Sequence, residues 1–239
     1  MRGGNIMEAL LTEMNWSPLF ISLKTGIVAT IFAFFIGILA ARVVMRLSNT
    51  MKWIVDGILT LPLVLPPTVA GFVLLLLFSL RRPIGKYLWV NVGVKVVLSW
   101  PGCVLAAVVI AFPLMYRNAR AAFEQVDVNM IAAGRTLGMS ETKIFWKVIM
   151  PIAMPGIASG TVLTFARAIG EYGATSMLAG NILGKTQTIA LAIASEVSAG
   201  NYNVAGFWVT VIVILSFIIV LAINMISGRG MKQIKRWTI

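Results

Sequence analysis

The chain has 239 residues, of which 59% are apolar and 12% are charged, with a mean hydropathy of +0.92. Soluble globular domains are about 45–50% apolar and about 25% charged, so this composition excludes an ordinary soluble domain and a disordered chain. One cysteine, Cys103, and no histidine exclude a disulfide framework, a zinc site and a histidine-dependent catalytic group. The net charge of +12 would suggest nucleic acid in a soluble chain, but in a membrane chain it is an orientation signal, and no nucleic-acid partner is expected.

Five apolar blocks are long enough to cross a lipid bilayer, whose hydrocarbon core of about 30 Å requires about 20 helical residues. Lys24 interrupts the first block, but it lies near one end, where its long stem can reach the membrane surface. The sequence therefore predicts an all-α polytopic membrane protein, a single transmembrane domain over residues 1–239. The predicted spans are residues 18–44, 54–80, 96–116, 149–170 and 204–227.

Two shorter apolar pieces, Tyr172–Gly184 and Thr186–Ser195, lie between the fourth and fifth blocks. Neither can cross the membrane alone as a straight helix. Three alternatives are open, a re-entrant segment, helices packed at the outer surface, or a distorted sixth span, and the first two are favoured. Ala179–Thr186 is similar to a phosphate-binding loop, but Gly180 comes one residue too late and no strand precedes it. We therefore expect no ATP site and no cofactor in this chain.

Lysine and arginine are distributed unequally between the two sets of connections. The connections after the first, third and fifth spans hold 12 of these residues, and the opposite set holds six. Because the richer side is normally cytoplasmic, we expect the N-terminus outside and the C-terminus in the cytoplasm. The outer connection Arg81–Lys95 is itself basic and departs from this rule.

The longest cytoplasmic connection, Arg117–Lys147, has 31 residues and the composition of short helices. Asp127 is a suitable N-cap for a helix over Val128–Leu137. Gly138 then suits a left-handed residue that ends this helix.

A second helix is predicted to follow in the same connection. Ser140 can cap a helix over Glu141–Met150. Pro151 is then expected to begin the following span at its first turn, where the missing N–H is tolerated.

Three small residues, Ala132, Ala133 and Gly134, lie together in the first of these helices. Such a patch allows another surface to approach closely, although glycine within a helix costs about 1 kcal/mol relative to alanine. It serves either packing against the protein's own helices or the docking of a partner. Because the segment stands outside the bilayer, docking is the favoured interpretation.

This spacing resembles the cytoplasmic-loop signature of ABC importer permeases. That signature reads Glu-Ala-Ala, three residues, Gly, nine residues, then Ile, any residue and Leu-Pro, and Gly138 and Pro151 occupy the matching positions. In that family the loop forms a short coupling helix that docks on a separate ATPase subunit. The departures here are Ala132 for Glu, Gly134 for Ala, Val148 for Ile and Met150 for Leu.

The resemblance covers nearly the whole chain and is closest to the molybdate-type permeases, which include those for tungstate and sulfate. It implies a type I importer permease fold, a homodimer in the bacterial plasma membrane, two ATPase subunits and an extracytoplasmic oxyanion-binding protein. The candidate coupling residues are Asp127, Ala132, Ala133, Gly134, Gly138, Glu141 and Pro151. The other stretches that carry the resemblance are Leu61–Pro67, Phe112–Met115 with Arg117 and Arg120, and Phe165–Thr175.

Charged residues near the ends of the blocks are candidates for the translocation path. Arg167 lies four residues before Glu171, so the two share a face and can pair if the helix continues. An arginine inside a span should face protein or water. A structural ion pair and a charge beside the path of an oxyanion are both open. Asp56, near the cytoplasmic end of the second span, is expected to be solvated or paired rather than to act as a coupling acid.

Prolines interrupt the second block and predict a kink or local unwinding. In a membrane the freed carbonyls must face protein or water, so Pro66 and Pro67 mark either a structural kink or a gate. Thr68 offers a hydroxyl to a passing anion. In the fourth block, Gly156 and Gly160 form a small-xxx-small pair, which is typical of close helix packing.

The expected mechanism is alternating access, in which closure of the ATPase pair moves the coupling loops and the rigid spans open to each side in turn. The chain itself is not expected to be an enzyme, because few residues are available for a catalytic site. A secondary transporter is an alternative, but it predicts an acidic relay within the membrane and often inverted repeats. The choice among molybdate, tungstate and sulfate is expected to depend on the binding protein.

Overall fold

The computed structural model describes residues 15–234, and within them the chain is helical with no β-strand. A π-helical segment, Leu88–Val92, follows the short helix Pro83–Tyr87, and another, Phe145–Ile149, joins the helix Glu141–Ile144 to the helix Met150–Ile169. The helices are α1 (Ser17–Val44), α2 (Asn49–Val64), α3 (Pro67–Phe78), α4 (Pro83–Tyr87), α5 (Trp100–Glu124), α6 (Val128–Thr136), α7 (Glu141–Ile144), α8 (Met150–Ile169), α9 (Gly173–Leu178), α10 (Ile189–Ser198) and α11 (Tyr202–Ile234).

Four helices in the described part of the chain are long and apolar enough to cross a membrane, and a bent pair makes a fifth candidate. The four are α1, α5, the continuous helix Glu141–Ile169 and Tyr202–Leu221 of α11. The bent pair is α2 with α3. The predicted all-α architecture with five spans is confirmed, with the second span in two pieces.

The second span is broken where the sequence has consecutive prolines. Leu65 and Pro66 lie between α2 and α3, with ψ angles of 139° and 133°. A residue that precedes proline avoids the helical conformation, and both of these residues precede one. The two helix axes are bent by 109° at this point. The predicted kink is therefore confirmed as a complete break, and a single straight helix over residues 54–80 is not formed.

Pro151 lies in the first turn of α8, which begins at Met150, as the sequence predicts, and α8 continues a helical segment that starts at Glu141. The helix runs from Glu141 to Ile169 without a gap. In its π-helical segment the N–H of Met150 donates to the C=O of Phe145, five residues earlier. This wider turn changes the hydrogen-bond register just ahead of the proline, whose nitrogen has no hydrogen to donate.

The described residues form two compact units, and each has its own cluster of buried apolar side chains. Unit 1 contains the described residues up to Val28, with Pro66–Ala107 and Ile169–Phe217, and unit 2 contains Ala29–Leu65, Val108–Ala168 and the described residues from Ile218 onward.

The core of unit 2 is built from α1, α5 and the helix that contains α8. Met115, Tyr116, Ile144 and Ile157 are among its fully buried side chains. A Cβ added at Gly160 would lie 2.5 Å from Asn118 Cβ, and one added at Gly156 would lie 2.8 Å from Ala122 Cβ. Close packing of α8 on α5 through the small-xxx-small pair is therefore confirmed.

In unit 1, the apolar residues 172–196 form the short helices α9 and α10 rather than a sixth span. A helix of ten residues rises only about 15 Å, half of a bilayer core. A Cβ at Gly71 of α3 would lie 2.6 Å from Ala174 Cα of α9, so these two helix backbones are in close contact. At the start of α10, the N–H of Ile189 donates to Ser22 Oγ of α1 at 2.8 Å. Both short helices therefore pack against other elements of unit 1.

Lys24 makes a specific contact in unit 1 that the sequence did not suggest. Its ammonium nitrogen lies 4.1 Å from the centroid of the Trp100 ring, a cation–π distance. The indole nitrogen of Trp100 donates to Thr25 Oγ1 at 3.0 Å. The charge inside the first block is thus held by an aromatic ring at the start of α5.

Candidate functional site

The two short helices of the candidate coupling loop (residues 117–150) begin at the N-cap residues that the sequence predicts. Asp127 precedes α6, and its side chain accepts a hydrogen bond from the N–H of Asn129 at 2.8 Å. Ser140 precedes α7, and its hydroxyl accepts from the N–H of Lys143 at 3.4 Å. Each cap satisfies one of the N–H groups that have no partner in the first turn of a helix.

Gly138 ends α6 in the left-handed conformation that the sequence predicts, with a φ of 71°. The N–H of Gly138 donates to the C=O of Arg135, and the N–H of Met139 donates to the C=O of Gly134. These two bonds form a Schellman motif, which pairs carbonyls that would otherwise be left open at the end of the helix. The turn fixes the direction in which the chain enters α7.

The three small residues of α6 do not act as one patch. Gly134 is buried, and a Cβ added there would lie 3.1 Å from Cγ1 of Ile144. Ala132 and Ala133 are exposed. A side chain at Gly134 would press on Ile144, so this glycine serves the packing of the loop on itself, whereas the two alanines are exposed.

An ion pair also holds the two helices of the loop together. Nε and Nη2 of Arg135 donate to the two carboxylate oxygens of Glu141 at 2.7 and 3.3 Å. This carboxylate raises the pKa of Arg135 above its ordinary value. Both side chains are more than half exposed, so water and salt screen the pair strongly.

The loop exposes large apolar side chains in addition to its two small alanines. Val128, Met130 and Leu137 are 73%, 52% and 80% exposed. Beneath the loop, the Arg42 guanidinium of α1 lies over the Phe145 ring, 4.1 Å from its centroid. Of the candidate coupling residues, Gly134 is buried, and the exposed ones are Asp127, Ala132, Ala133, Gly138, Glu141 and Pro151.

A chain of charges in unit 2 joins α2 to α5. Nη1 of Arg120 lies 2.5 Å from a carboxylate oxygen of Asp56, to which the buried hydroxyl of Tyr116 also donates at 2.7 Å. Nε of Arg120 contacts Glu124 at 2.9 Å, and Lys52 contacts the same carboxylate oxygen at 3.1 Å. Asp56 is thus paired, one of the two states that the sequence allows.

This network is the arrangement that sequence reasoning missed. Tyr116, Arg120 and Glu124 follow each other at intervals of four along α5, which places them on one face of the helix. That spacing is visible in the sequence. Their partners on α2 lie 60 or more residues earlier in the chain, and no local pattern identifies them.

In unit 1 the structure brings several candidate path residues to the start of α3. Pro66 precedes the helix, Pro67 is its first residue, and Thr68 is exposed in its first turn. A Cβ added at Gly173, the first residue of α9, would lie 2.9 Å from Pro67 Cβ and 3.1 Å from Thr68 N. Glu171 is 2% exposed, and its carboxylate accepts from the N–H of Ala174 at 2.8 Å. Glu171 thus caps the helix that packs on Pro67 and Thr68.

The helix that contains Arg167 does not continue as far as Glu171. α8 ends at Ile169, two residues before Glu171, so the two residues do not share a helical face. Within residues 15–234 no cluster of three or more acidic or thiol side chains could hold a metal ion.

Residues 33–233 match the family model described as binding-protein-dependent transport system inner membrane component. The chain is 43% identical over 180 residues to the molybdenum transport system permease protein ModB of Escherichia coli K12, covering 75% of this chain and 79% of the relative. It is 38% identical to the putative molybdenum transport system permease protein YvgM of Bacillus subtilis, over 87% of this chain and 92% of that protein. It is also 31% identical to the sulfate transport system permease protein CysT of E. coli, over 90% and 77%.

Solved structures show the same fold at low sequence identity. A bacterial ABC transporter involved in the import of the acidic polysaccharide alginate matches with a TM-score of 0.78 and 15% identity, over 96% of this chain and 84% of that chain. The MetNI methionine ABC transporter matches in an inward-facing conformation with a TM-score of 0.71 and 19% identity, over 95% and 99%.

Proposed function

This chain belongs to the family of binding-protein-dependent transport system inner membrane components, and we propose that it is the permease subunit of an ATP-driven molybdate importer. The observation that carries the substrate assignment is the similarity to molybdenum permeases, which reaches 43% and 38% identity. The similarity to the sulfate permease is lower, at 31%. As a transport subunit, the chain moves its substrate and leaves chemical turnover to partners.

The partner that supplies energy is a separate ATPase, with one copy docked on the candidate coupling loop of each permease. The exposed Ala132 and Ala133 offer a surface to which another protein can come close, and the apolar Leu137 beside them is 80% exposed. The caps at Asp127 and Gly138 hold this surface in one conformation. A preformed surface loses little conformational entropy on docking.

The complete importer contains two copies of this chain, two ATPases and an extracytoplasmic oxyanion-binding protein. The candidate coupling loop is on the cytoplasmic side, with the N-terminus outside and the C-terminus inside. The unequal distribution of lysine and arginine supports this orientation, with 12 residues on one side and six on the other.

Transport follows from alternating access. When ATP closes the ATPase pair, each coupling loop moves as a unit, because the Schellman turn at Gly138 and the packing of Gly134 against Ile144 join its helices. The break at Leu65–Pro66 separates α2 from α3, so a segment next to Thr68 can change conformation without bending a continuous helix. A dianion is costly to strip of water, and exposed hydroxyls such as that of Thr68 can replace part of its hydration.

Uptake of radiolabelled molybdate tests this assignment directly. The chain is produced with its ATPase and binding protein in cells that lack their own molybdate and sulfate importers. We expect ATP-dependent uptake that unlabelled molybdate suppresses and a large excess of sulfate does not. Suppression by sulfate, with sulfate itself accumulated, would identify a sulfate importer, and equal suppression by tungstate would extend the substrate to both metal oxyanions.

A second assay separates this proposal from a secondary transporter. Vesicles that contain the complex, and vesicles that contain the permease alone, are given a proton or sodium gradient without ATP. We expect accumulation in neither. Gradient-driven uptake by the permease alone would contradict the proposal.

A further inference from the structure

The connection between α3 and α5 carries an unusual charge. Residues 81–95 include Arg81, Arg82, Lys86 and Lys95 but no aspartate or glutamate. The connection joins the end of the broken second span to the start of the next span, so it lies at a membrane surface in either orientation of the chain. Positive charge on a translocated connection opposes insertion in the proposed orientation, so its presence needs a reason.

Both ends of the segment make close backbone contacts with neighbouring helices. A Cβ added at Gly85 of α4 would lie 2.2 Å from the C=O oxygen of Phe78, so α4 is seated directly on the end of α3. At the other end Val96 is buried, and its C=O oxygen would lie 2.4 Å from a Cβ at Gly102 of α5. Both ends of the connection therefore pack closely on the neighbouring helices.

Between the cations the segment exposes apolar and aromatic side chains. Tyr87, Trp89, Val90 and Val92 are 62%, 49%, 67% and 56% exposed, and Ile84 is 48% exposed. Aromatic rings with a polar edge are the side chains that anchor proteins at the level of lipid headgroups. A loop that faces water normally packs such side chains against the protein, whereas at the membrane interface they are buried among lipids.

The four cations have no carboxylate partner in the described structure. All four are exposed, and no described aspartate or glutamate lies within 4.0 Å of any of them. The described acidic residues of unit 1 are Glu171, which is buried and caps α9, and Glu196, which accepts from Asn201. No described carboxylate therefore neutralises the charge of this segment.

We propose that residues 81–95 are a binding surface for anionic phospholipid. The basic side chains hold the headgroup phosphates, and Tyr87, Trp89 and Val90 insert at the level of the first acyl carbons. The combination of cations with exposed aromatic and aliphatic groups favours lipid over an acidic protein, which would supply the charge but would not need to bury the rings. The inference rests on the membrane placement of the family and not on the substrate or partners proposed above.

Fluorescence quenching at Trp89 tests the proposal in the intact complex. Permease and ATPase are placed in nanodiscs of phosphatidylcholine and phosphatidylglycerol at a fixed ratio, with bromine on the acyl chains of one lipid or the other. The signal of Trp89 is the difference between the native chain and W89F. We expect brominated phosphatidylglycerol to quench it more strongly, with a local enrichment of about two- to fivefold over its bulk fraction.

Charge variants identify the groups responsible. We expect R81Q/R82Q/K86Q/K95Q to abolish the preference and R82Q/K86Q to reduce it by about half, since the electrostatic contributions of cations near a membrane surface are roughly additive. K143Q/K147Q is the matched control, because it removes the same charge from two exposed lysines elsewhere and should leave the preference intact.

Three results would overturn the inference. The first is equal quenching by both lipids in the native chain. The second is a preference that survives the fourfold substitution or that is lost equally in K143Q/K147Q. The third is a tenfold or greater loss of affinity for the binding protein in the fourfold variant, measured in pure phosphatidylcholine, which would assign the surface to an acidic protein instead.

Discussion

Gly138 combines a left-handed backbone with open space around it. Its φ is 71°, and a Cβ added there would meet no atom within 4 Å. A side chain at this position is therefore disfavoured by the backbone alone, by about 1 kcal/mol for most residues and less for asparagine.

Gly138→Ala is expected to uncouple transport from ATP hydrolysis. The strain loosens the Schellman turn between α6 and α7, so movement of the ATPase is transmitted less efficiently. We expect fewer molybdate ions imported per ATP hydrolysed, with Gly138→Asn close to the native ratio. The measurement is uptake and ATPase activity in the same proteoliposomes.

Gly184→Ala is the matched control for this prediction. Gly184 has a φ of 72° and equally open surroundings, but it lies in the turn between α9 and α10. The substitution should carry the same backbone strain without changing the ratio of transport to hydrolysis. An equal loss in both variants would show that the effect is general destabilisation.

At the scale of elements, α5 and α8 approach each other through two glycines of α8. Gly160→Ala places a methyl group 2.5 Å from Asn118 Cβ, so the helices must separate or shift. Overpacking of this kind costs about 1–3 kcal/mol. We expect a thermal midpoint several degrees lower in detergent, where Gly57→Ala, with nothing within 4 Å of the added group, leaves it unchanged or raises it. A native-like midpoint for Gly160→Ala would contradict the packing.

The charge network between α2 and α5 makes a second prediction at this scale. Asp56 and Arg120 are 38% and 21% exposed, so their interaction is only partly screened by water. A double-mutant cycle with Asp56→Asn and Arg120→Gln should give a coupling energy of about 1 kcal/mol in unfolding by detergent.

The same cycle on Arg135 and Glu141 serves as the comparison. Both side chains are more than half exposed, so their coupling energy should be the smaller of the two. A larger coupling energy for the exposed pair would show that the charge network does not stabilise the packing of α2 on α5. The pairing at Asp56 also explains why a carboxylate near the end of a span need not be a proton carrier.

These elements also show how far sequence reasoning reaches. The caps at Asp127, Ser140 and Gly138 were predicted and are confirmed, because each depends on residues two to four positions away. Pro151 lies in the first turn of α8, as predicted, but the π-helical segment that joins α7 to α8 has no signature in the composition and was not predicted. Gly134 is buried and its two alanine neighbours are exposed because Ile144 packs on Gly134, and this contact forms only when α6 and α7 fold together.

At the scale of the whole molecule, the proposed orientation predicts which surfaces a reagent can reach. Cys103 is fully buried, so cysteines introduced elsewhere can be labelled against a low background. We expect an impermeant maleimide added to intact cells to label Asn91→Cys and not Ala133→Cys. After the membrane is opened, Ala133→Cys should react, and bound ATPase should protect it. Labelling of Ala133→Cys in intact cells would reverse the orientation and remove the docking surface from the cytoplasm.

The sequence by itself determined the number of spans, the family resemblance and the helix caps. These features depend on the length of apolar blocks and on neighbouring residues, and both can be counted along the chain. The shortness of the pieces in residues 172–196 likewise favoured a non-spanning segment, and the structure has two short helices there.

Only the tertiary structure decided which side chains meet. Asp56 pairs with Arg120, 64 positions later, and Gly71 packs against Ala174, more than 100 positions later. It also showed that Glu171, two residues after the end of α8, caps α9. Such contacts are chosen by the packing of many elements at once, since each side chain has several chemically equivalent partners in the sequence and only folding brings one of them within reach.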